Sequence, residues 1–171
     1  MILPHQYVEK VTDLNPTVLR DEGLEGLLLD IDGTLKDYGT TEYPPEVLDW
    51  IVKVREAGLS ICLFSNGRID KVRASAAILD APWVAKAYKP SPLKCRKGLA
   101  ELGMTADQVA LIGDQIFADV LSGRLAGIRT ILVEPTSWVE PWFTKLKRPF
   151  EIPLRRMLRR SLASAKKTEQ A

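Results

Sequence analysis

The chain has 171 residues, 46% of them hydrophobic, with 24 Lys or Arg set against 22 Asp or Glu. That length suits one domain with a substantial core. No apolar stretch approaches the roughly 18 residues that cross a bilayer, and two cysteines, Cys62 and Cys95, form neither a disulfide framework nor a zinc signature.

Asn15 as N-cap, Pro16 at the first helical position and Gly23 beyond the end predict a short helix over residues 16–22. The apolar run Leu27-Leu28-Leu29 predicts a strand over 25–30, running out into the turn Asp30-Ile31-Asp32-Gly33-Thr34. Pro45 to Ala57 reads as a helix closed by Gly58, Leu59 to Phe64 as a buried strand, and Ile69 to Leu79 as a second helix. A short strand is expected over 84–87, then a helix opened by Ser91-Pro92 and ended at Leu102 by Gly103. Thr105 and Gln108 have capping-box spacing. Val109 to Ile112 is the fourth strand, Phe117 to Ala126 a helix, and Thr130 to Val133 the fifth strand. Strands alternating with helices of this length imply an α/β fold with a parallel sheet.

Asp30 and Asp32 carry the strongest chemical signal. Residues two apart on an extended backbone project to the same side, so both carboxylates can face one pocket at the strand's carboxyl end, where open α/β sheets place ligands. One can attack as a nucleophile while the other serves as general acid and base. Taken alone, the same residues also suit a solvated Asp-Gly turn. Ser65-Asn66-Gly67 ends the next apolar strand and can cap a helix or donate to an anion, or do both. Asp114 stands where the fourth strand meets a helix. For Asp119, a role in the site and a role as a first-turn acid favoured by the helix dipole both stay open. His5, the single histidine, lies far from every motif, and no Ser-His-Asp or Cys-His set exists.

Four motifs in order resemble the haloacid dehalogenase (HAD) superfamily: Asp30-x-Asp32-x-Thr34, the apolar run ending at Ser65, Lys89-Pro90, and Gly113-Asp114 with Asp119. From residue 2 to 150 the chain looks like the YqeG-type branch of subfamily IIIA, which includes phosphatidylglycerophosphate phosphatases. The carrying segments are Leu3-Pro4 to Leu14-Pro16, Lys89-Pro90, and Gly113-Asp114-Gln115 through Val133. Gly67 and Phe117-Ala118 depart from that branch's common residues without removing a reacting group.

This resemblance implies a Rossmann-like three-layer sandwich with a five-stranded parallel sheet in the order 5-4-1-2-3. It implies a phosphatase with Asp30 as nucleophile, Asp32 as general acid and base, and Lys89 as the charge-neutralising cation. Gly33, Thr34, Ser65, Asn66 and Lys89 would bind phosphate. Mg²⁺ would be held by Asp30, the Asp32 carbonyl and Asp114, with Asp119 a ligand or a partner of Lys89 or of metal-bound water. A dozen residues between Asp32 and the helix at Pro45 leave room for a flap near Lys36 to Thr41 but not for a cap domain.

Residues 141–171 hold nine Lys or Arg and two Glu, net +7, against net −5 for residues 1–140. Leu154, Met157, Leu158 and Leu162 follow helical spacing opposite Arg155, Arg156, Arg159 and Arg160, with Trp138, Trp142 and Phe143 before them. The division is therefore a capless domain over 1–149 and a basic amphipathic helix over 150–171. Such a helix suits an anionic membrane surface or packs on the body with a solvated basic face; no nucleic-acid module is recognisable. Met1-Ile2-Leu3-Pro4-His5 lacks the basic flank and apolar core of a signal peptide. The expectation is a cytoplasmic protein able to sit on the inner face of a membrane, acting on phosphatidylglycerophosphate. A soluble phosphate ester, with oligomerisation closing the site, and a non-catalytic phosphate-binding module are the alternatives.

Overall fold

Leu27, Leu28 and Leu29 are all fully buried, although side chains on a strand alternate between its two faces. A strand apolar on both faces belongs in the middle of a covered parallel sheet. The computed structural model, which describes residues 3–137 and 148–169, shows that arrangement. β2 (Gly26–Leu29) lies between β3 (Ser60–Phe64) and β5 (Val109–Gly113), with Leu28 in register with Cys62 on one side and Leu111 on the other. Outside these lie β4 (Trp83–Val84) and β6 (Arg129–Leu132), all parallel.

The five expected strands occur in the expected order. A sixth, β1 (Gln6–Tyr7), extends the edge beside β6, so the sheet runs β1-β6-β5-β2-β3-β4. It corrects the five-stranded expectation. Two residues carry no readable alternation, and this strand exists through tertiary pairing, with His5 N–H donating to the Thr130 carbonyl and Val8 N–H to that of Leu132.

Alternation along the strands separates two cores. Leu27, Leu29, Ile61, Leu63 and Ile112 pack with Val47, Trp50 and Val54 of α2 (Pro45–Glu56) and Val72 and Ala76 of α3 (Ile69–Leu79). Leu28, Cys62, Phe64 and Leu111 face the opposite layer, with Cys95 and Leu99 of α4 (Cys95–Leu102). α1 (Pro16–Asp21) is capped as expected, the Asn15 side chain accepting from Thr17 N–H. At such fully buried strand positions, truncating a leucine to alanine costs about 2–5 kcal/mol.

Before the tail, three of the expected elements differ by more than one residue or in kind. The third expected strand, β4, is Trp83–Val84 rather than 84–87. The helix expected from Ser91 begins as a 3₁₀ turn over Pro92–Lys94 before α4. The helix expected over 117–126 divides into a π-helical turn, Ile116–Val120, and α5 (Leu121–Leu125). Wide π turns are frequent at functional sites, and this one carries Asp119.

The basic tail forms α6 (Arg148–Glu169), with Pro153 inside it. Leu154 and Leu158 pack against Tyr7, Ile116, Val120 and Leu132. Arg155, expected on a solvated face, is buried instead, paired with Glu134 and Glu151 at 3.4 and 3.5 Å. Ile152 and Met157 are exposed. The Leu162 side chain and the segment with Trp138, Trp142 and Phe143 lie outside the described residues. No described helix is long and apolar enough to cross a membrane.

Candidate active site

Asp30 leaves β2 with its N–H bound to the Ile112 carbonyl at 2.9 Å, which carries the parallel pairing up to the turn that follows. Gly33 makes the exit possible. Its φ is +87°, and a Cβ there would meet Asp114 at 3.0 Å and Tyr38 at 2.8 Å. Gly113, at the end of β5, is needed for a different reason: a Cβ would lie 2.2 Å from Cγ of Asp119. The π turn can deliver Asp119 to the site only over a residue with no side chain.

Lys89 holds the centre. Its Nζ donates to Asp30 Oδ1 at 2.5 Å, Asp119 Oδ1 at 2.6 Å and the Phe64 carbonyl at 3.0 Å, and lies 5.5 Å from the Phe64 ring centroid. An ammonium has three donors, and all three are engaged. Burial pulls the lysine's pKa down, but the Asp119 and Asp30 carboxylates outweigh it and hold the pKa above its ordinary value. For Asp30, burial is the dominant influence and pushes its carboxyl well above the usual range. Lys89 opposes that rise, and Asp119 and Asp114 add to it.

Carboxylate oxygens of Asp30, Asp114 and Asp119 all lie within 4.8 Å of one another, and all three residues are buried. Lys89 pairs with two of these three carboxyl groups, Asp30 and Asp119, and its third donor goes to Phe64 rather than to Asp114. A divalent cation would balance Asp114, and an all-oxygen donor set suits a hard ion. Asp119 already uses both oxygens, one on Lys89 and the other accepting from Gln115 N–H at 3.0 Å.

Asp32 is placed differently. Its side chain is 36% exposed and is held by Lys36, whose buried Nζ lies 3.0 Å from Asp32 Oδ1 and 2.5 Å from the Thr40 carbonyl. Ser65 is buried, and its Oγ accepts from Gly67 N–H at 3.1 Å, which leaves the hydroxyl proton for another acceptor. Thr34 Oγ1 is buried with no protein partner among the described residues. Asn66 points its amide at Lys89: Oδ1 accepts from Lys89 N–H at 2.8 Å, and Nδ2 donates to the Lys89 carbonyl at 3.2 Å. One amide hydrogen remains for a ligand.

The structure thus brings together Asp30, Lys89, Asp114 and Asp119, with Gly33 against Asp114 and Asn66 on the Lys89 main chain. Asp32, Thr34 and Ser65 follow β2 and β3 beside this cluster, with Asp32 held by Lys36, Thr34 Oγ1 without a protein partner among the described residues, and Ser65 Oγ held by Gly67 N–H. Sequence reasoning missed Lys36, whose only trace is its place four residues after Asp32. It also missed Arg155, which donates to the Asp114 carbonyl and, at 3.4 Å, to that of Val133. His5 lies outside the site, hydrogen-bonded to Thr130.

The HAD-hydrolase-like family model matches residues 87–136, the stretch holding Lys89, Asp114 and Asp119. A probable phosphatase of Bacillus subtilis, YqeG, is 27% identical over 149 residues, covering 87% of each chain. The chain is similar to the haloacid dehalogenase superfamily. The likeness runs to the YqeG type over most of its length, and the chain is a phosphatase. Two further relatives are phosphatidylglycerophosphate phosphatases, from Arabidopsis thaliana at 29% identity and Chlamydomonas reinhardtii at 28%. They match 94% and 88% of this chain, which spans 49% and 60% of their own lengths. Among solved structures, the cobalt-bound deoxy-D-mannose-octulosonate 8-phosphate phosphatase of Haemophilus influenzae aligns with TM-score 0.50. Its identity is 23%, over 66% of this chain and 69% of that one. An uncharacterised protein of Listeria monocytogenes aligns at 0.56 with 16% identity, over 69% of this chain and 85% of that one. These structures share the fold.

Proposed function

We propose that the chain is a divalent-cation-dependent phosphomonoesterase that converts phosphatidylglycerophosphate to phosphatidylglycerol and phosphate. The observation that carries the chemistry is the Lys89 ammonium between Asp30 and Asp119, beside a third buried carboxylate, Asp114. An Asp30 oxygen attacks phosphorus and the ester P–O bond breaks; Asp32 gives the departing alkoxide its proton. Water then attacks phosphorus of the aspartyl-phosphate, Asp32 takes the water's proton, and Asp30 is released with inorganic phosphate. Lys89 and the Ser65 hydroxyl stabilise charge on the non-bridging oxygens. Asp30, the Asp32 carbonyl and Asp114 would hold Mg²⁺, which supplies charge neutralisation at the phosphoryl oxygens when bound. Asp119 orients Lys89.

The lipid substrate is supported by the two phosphatidylglycerophosphate phosphatases among the relatives and by a site with no cap domain over it among the described residues. Exposed Ile152, Arg156, Met157 and Arg160 on α6 suit an anionic surface, even with Leu154 and Leu158 turned to the body.

Phosphate release from phosphatidylglycerophosphate in mixed micelles, with Mg²⁺ and with chelator, tests this beside soluble sugar and nucleotide phosphates. Magnesium-dependent preference for the lipid, lost in Asp30→Asn, is expected. Activity confined to soluble esters would move the substrate to that class. Equal phosphate release by wild type and Asp30→Asn would sink the mechanism.

A further inference from the structure

A departing alcohol must lie within hydrogen-bond reach of the group that protonates it, so whatever that alcohol carries extends into the space beside Asp32. That space is a pocket of about 340 Å³ between the flap and α3, walled by Asp32, Lys36, Thr40, Lys71, Ala74 and Ile78 among others. Its volume falls in the lower part of the range for small-ligand sites, about 300–1,000 Å³. A larger cavity of about 740 Å³, walled by Tyr7, Val47, Glu134 and Arg159, touches the catalytic turn through Thr34 and does not include Asp32. The smaller pocket is therefore the one positioned for a leaving group.

Its charges are unevenly matched. Asp32 pairs with Lys36 at 3.0 Å and Asp70 with Arg68 at 3.2 Å. Lys71, exposed on the first turn of α3, has no ion pair among the described residues. The apolar side of the wall is Ile31, Val72 and Ile78, the last 55% exposed. A pocket with an apolar wall, a proton donor at its base and a lysine at its rim fits a short alcohol that continues into a second anion.

We propose that this pocket receives the alcohol side of the phosphate ester and that Lys71 recognises a second anionic group there. In phosphatidylglycerophosphate that group is the phosphodiester one glycerol away from the scissile phosphate. This assignment rests on the lipid substrate proposed above. Lys71 is then a specificity-determining residue, and the acyl chains stay outside the pocket.

The test uses the full chain with Mg²⁺ and two substrates: dihexanoyl phosphatidylglycerophosphate, kept monomeric so that no lipid surface contributes, and glycerol 3-phosphate, which lacks the second anion. Lys71→Glu is expected to lose about tenfold more kcat/KM on the lipid than on glycerol 3-phosphate, a difference of about 1.4 kcal/mol. Lys71→Arg is expected to restore most of the loss. Ala74→Trp, which fills the pocket from the exposed side of α3, is expected to lower kcat/KM on both esters while leaving inhibition by inorganic phosphate in place. Equal losses on the two substrates in Lys71→Glu, or none on the lipid, would overturn the role of Lys71. Unimpaired ester turnover by Ala74→Trp would overturn the pocket. Wild-type protein active on glycerol 3-phosphate and silent on the lipid would instead defeat the substrate proposal and remove the Lys71 role with it.

Discussion

Asn66 grips the main chain of Lys89 from both ends of its amide, accepting the Lys89 N–H at 2.8 Å and donating to the Lys89 carbonyl at 3.2 Å. The same residue thereby fixes the loop from which Lys89 reaches Asp30. Asn66→Ala removes two hydrogen bonds of about 1 kcal/mol each. At about 2–4 °C per kcal/mol for a chain of this size, the melting point should fall by a few degrees. Activity should suffer more, about a hundredfold in kcat/KM, because small misplacements of a catalytic group are costly. Thermal melts and kinetics on one preparation decide it: a large stability loss with little kinetic loss would make Asn66 a structural clamp only.

Lys36 invites a second test. Its ammonium spans Asp32 and the Thr40 carbonyl, so it sets the direction of the proposed general acid. Proton donation matters most for poor leaving groups. Lys36→Met should therefore lower kcat/KM more for alkyl phosphates than for aryl phosphates, steepening its dependence on leaving-group pKa. Lys36→Arg should retain most of the shallow slope. A parallel drop across the whole series would assign Lys36 to flap stability instead.

Metal binding should be visible without catalysis. Asp119 and Asp114 both push the pKa of Asp30 up, the repulsion that a bound cation would relieve. At a hundredfold excess over Kd, a ligand bound only by the native state adds about 2.7 kcal/mol. Mg²⁺ should thus raise the melting point by about 5–10 °C, and Asp114→Asn should abolish most of that rise. An unchanged rise in Asp114→Asn would place the cation elsewhere.

The tail supplies a pH prediction. Burial pushes the Glu134 carboxyl up, but hydrogen bonds from Arg159 and Tyr7 and the charges of Arg155 and Arg159 outweigh it, so its pKa lies below the ordinary 4.5. A carboxyl depressed in the folded state contributes stability above its unfolded value, and that contribution is lost as pH falls through the folded value. The loss therefore belongs below pH 4.5. Arg159, 2.6 Å from Glu134, and Arg155 should loosen there, and with them α6. Hydrogen exchange in α6, corrected for intrinsic rates, should rise on acidification, while Glu134→Gln should show the looser helix already at neutral pH. A helix equally protected in wild type and Glu134→Gln at neutral pH would remove Glu134 as the anchor.

Arg155 gives the tail a further consequence. It is buried between two carboxylates and donates to the Asp114 carbonyl. Removing one partner of a buried pair costs about 3–5 kcal/mol. Arg155→Met should lower both the melting point and the Mg²⁺ affinity, the second because Asp114 loses its main-chain brace. Deleting residues 150–171 should do the same, so impaired catalysis in such a truncation would not measure membrane binding.

By itself, the sequence determined where the strands run and which side chains end them. An apolar run ended by Asp30, Ser65 or Asp114 is a local pattern, because strand periodicity and turn chemistry act over a few residues. The parallel class follows from the alternation of strands and helices. The tertiary structure alone decided the second layer of the site. Lys36 on Asp32, Asn66 on the Lys89 main chain and Arg155 on the Asp114 carbonyl join positions up to 41 residues apart, through loops whose dihedral angles no local pattern encodes. The edge strand Gln6–Tyr7 and the burial of α6 belong to the same class. Both draw their stability from pairing or packing with distant segments, which is why residues readable as a solvated basic face hold a buried arginine instead.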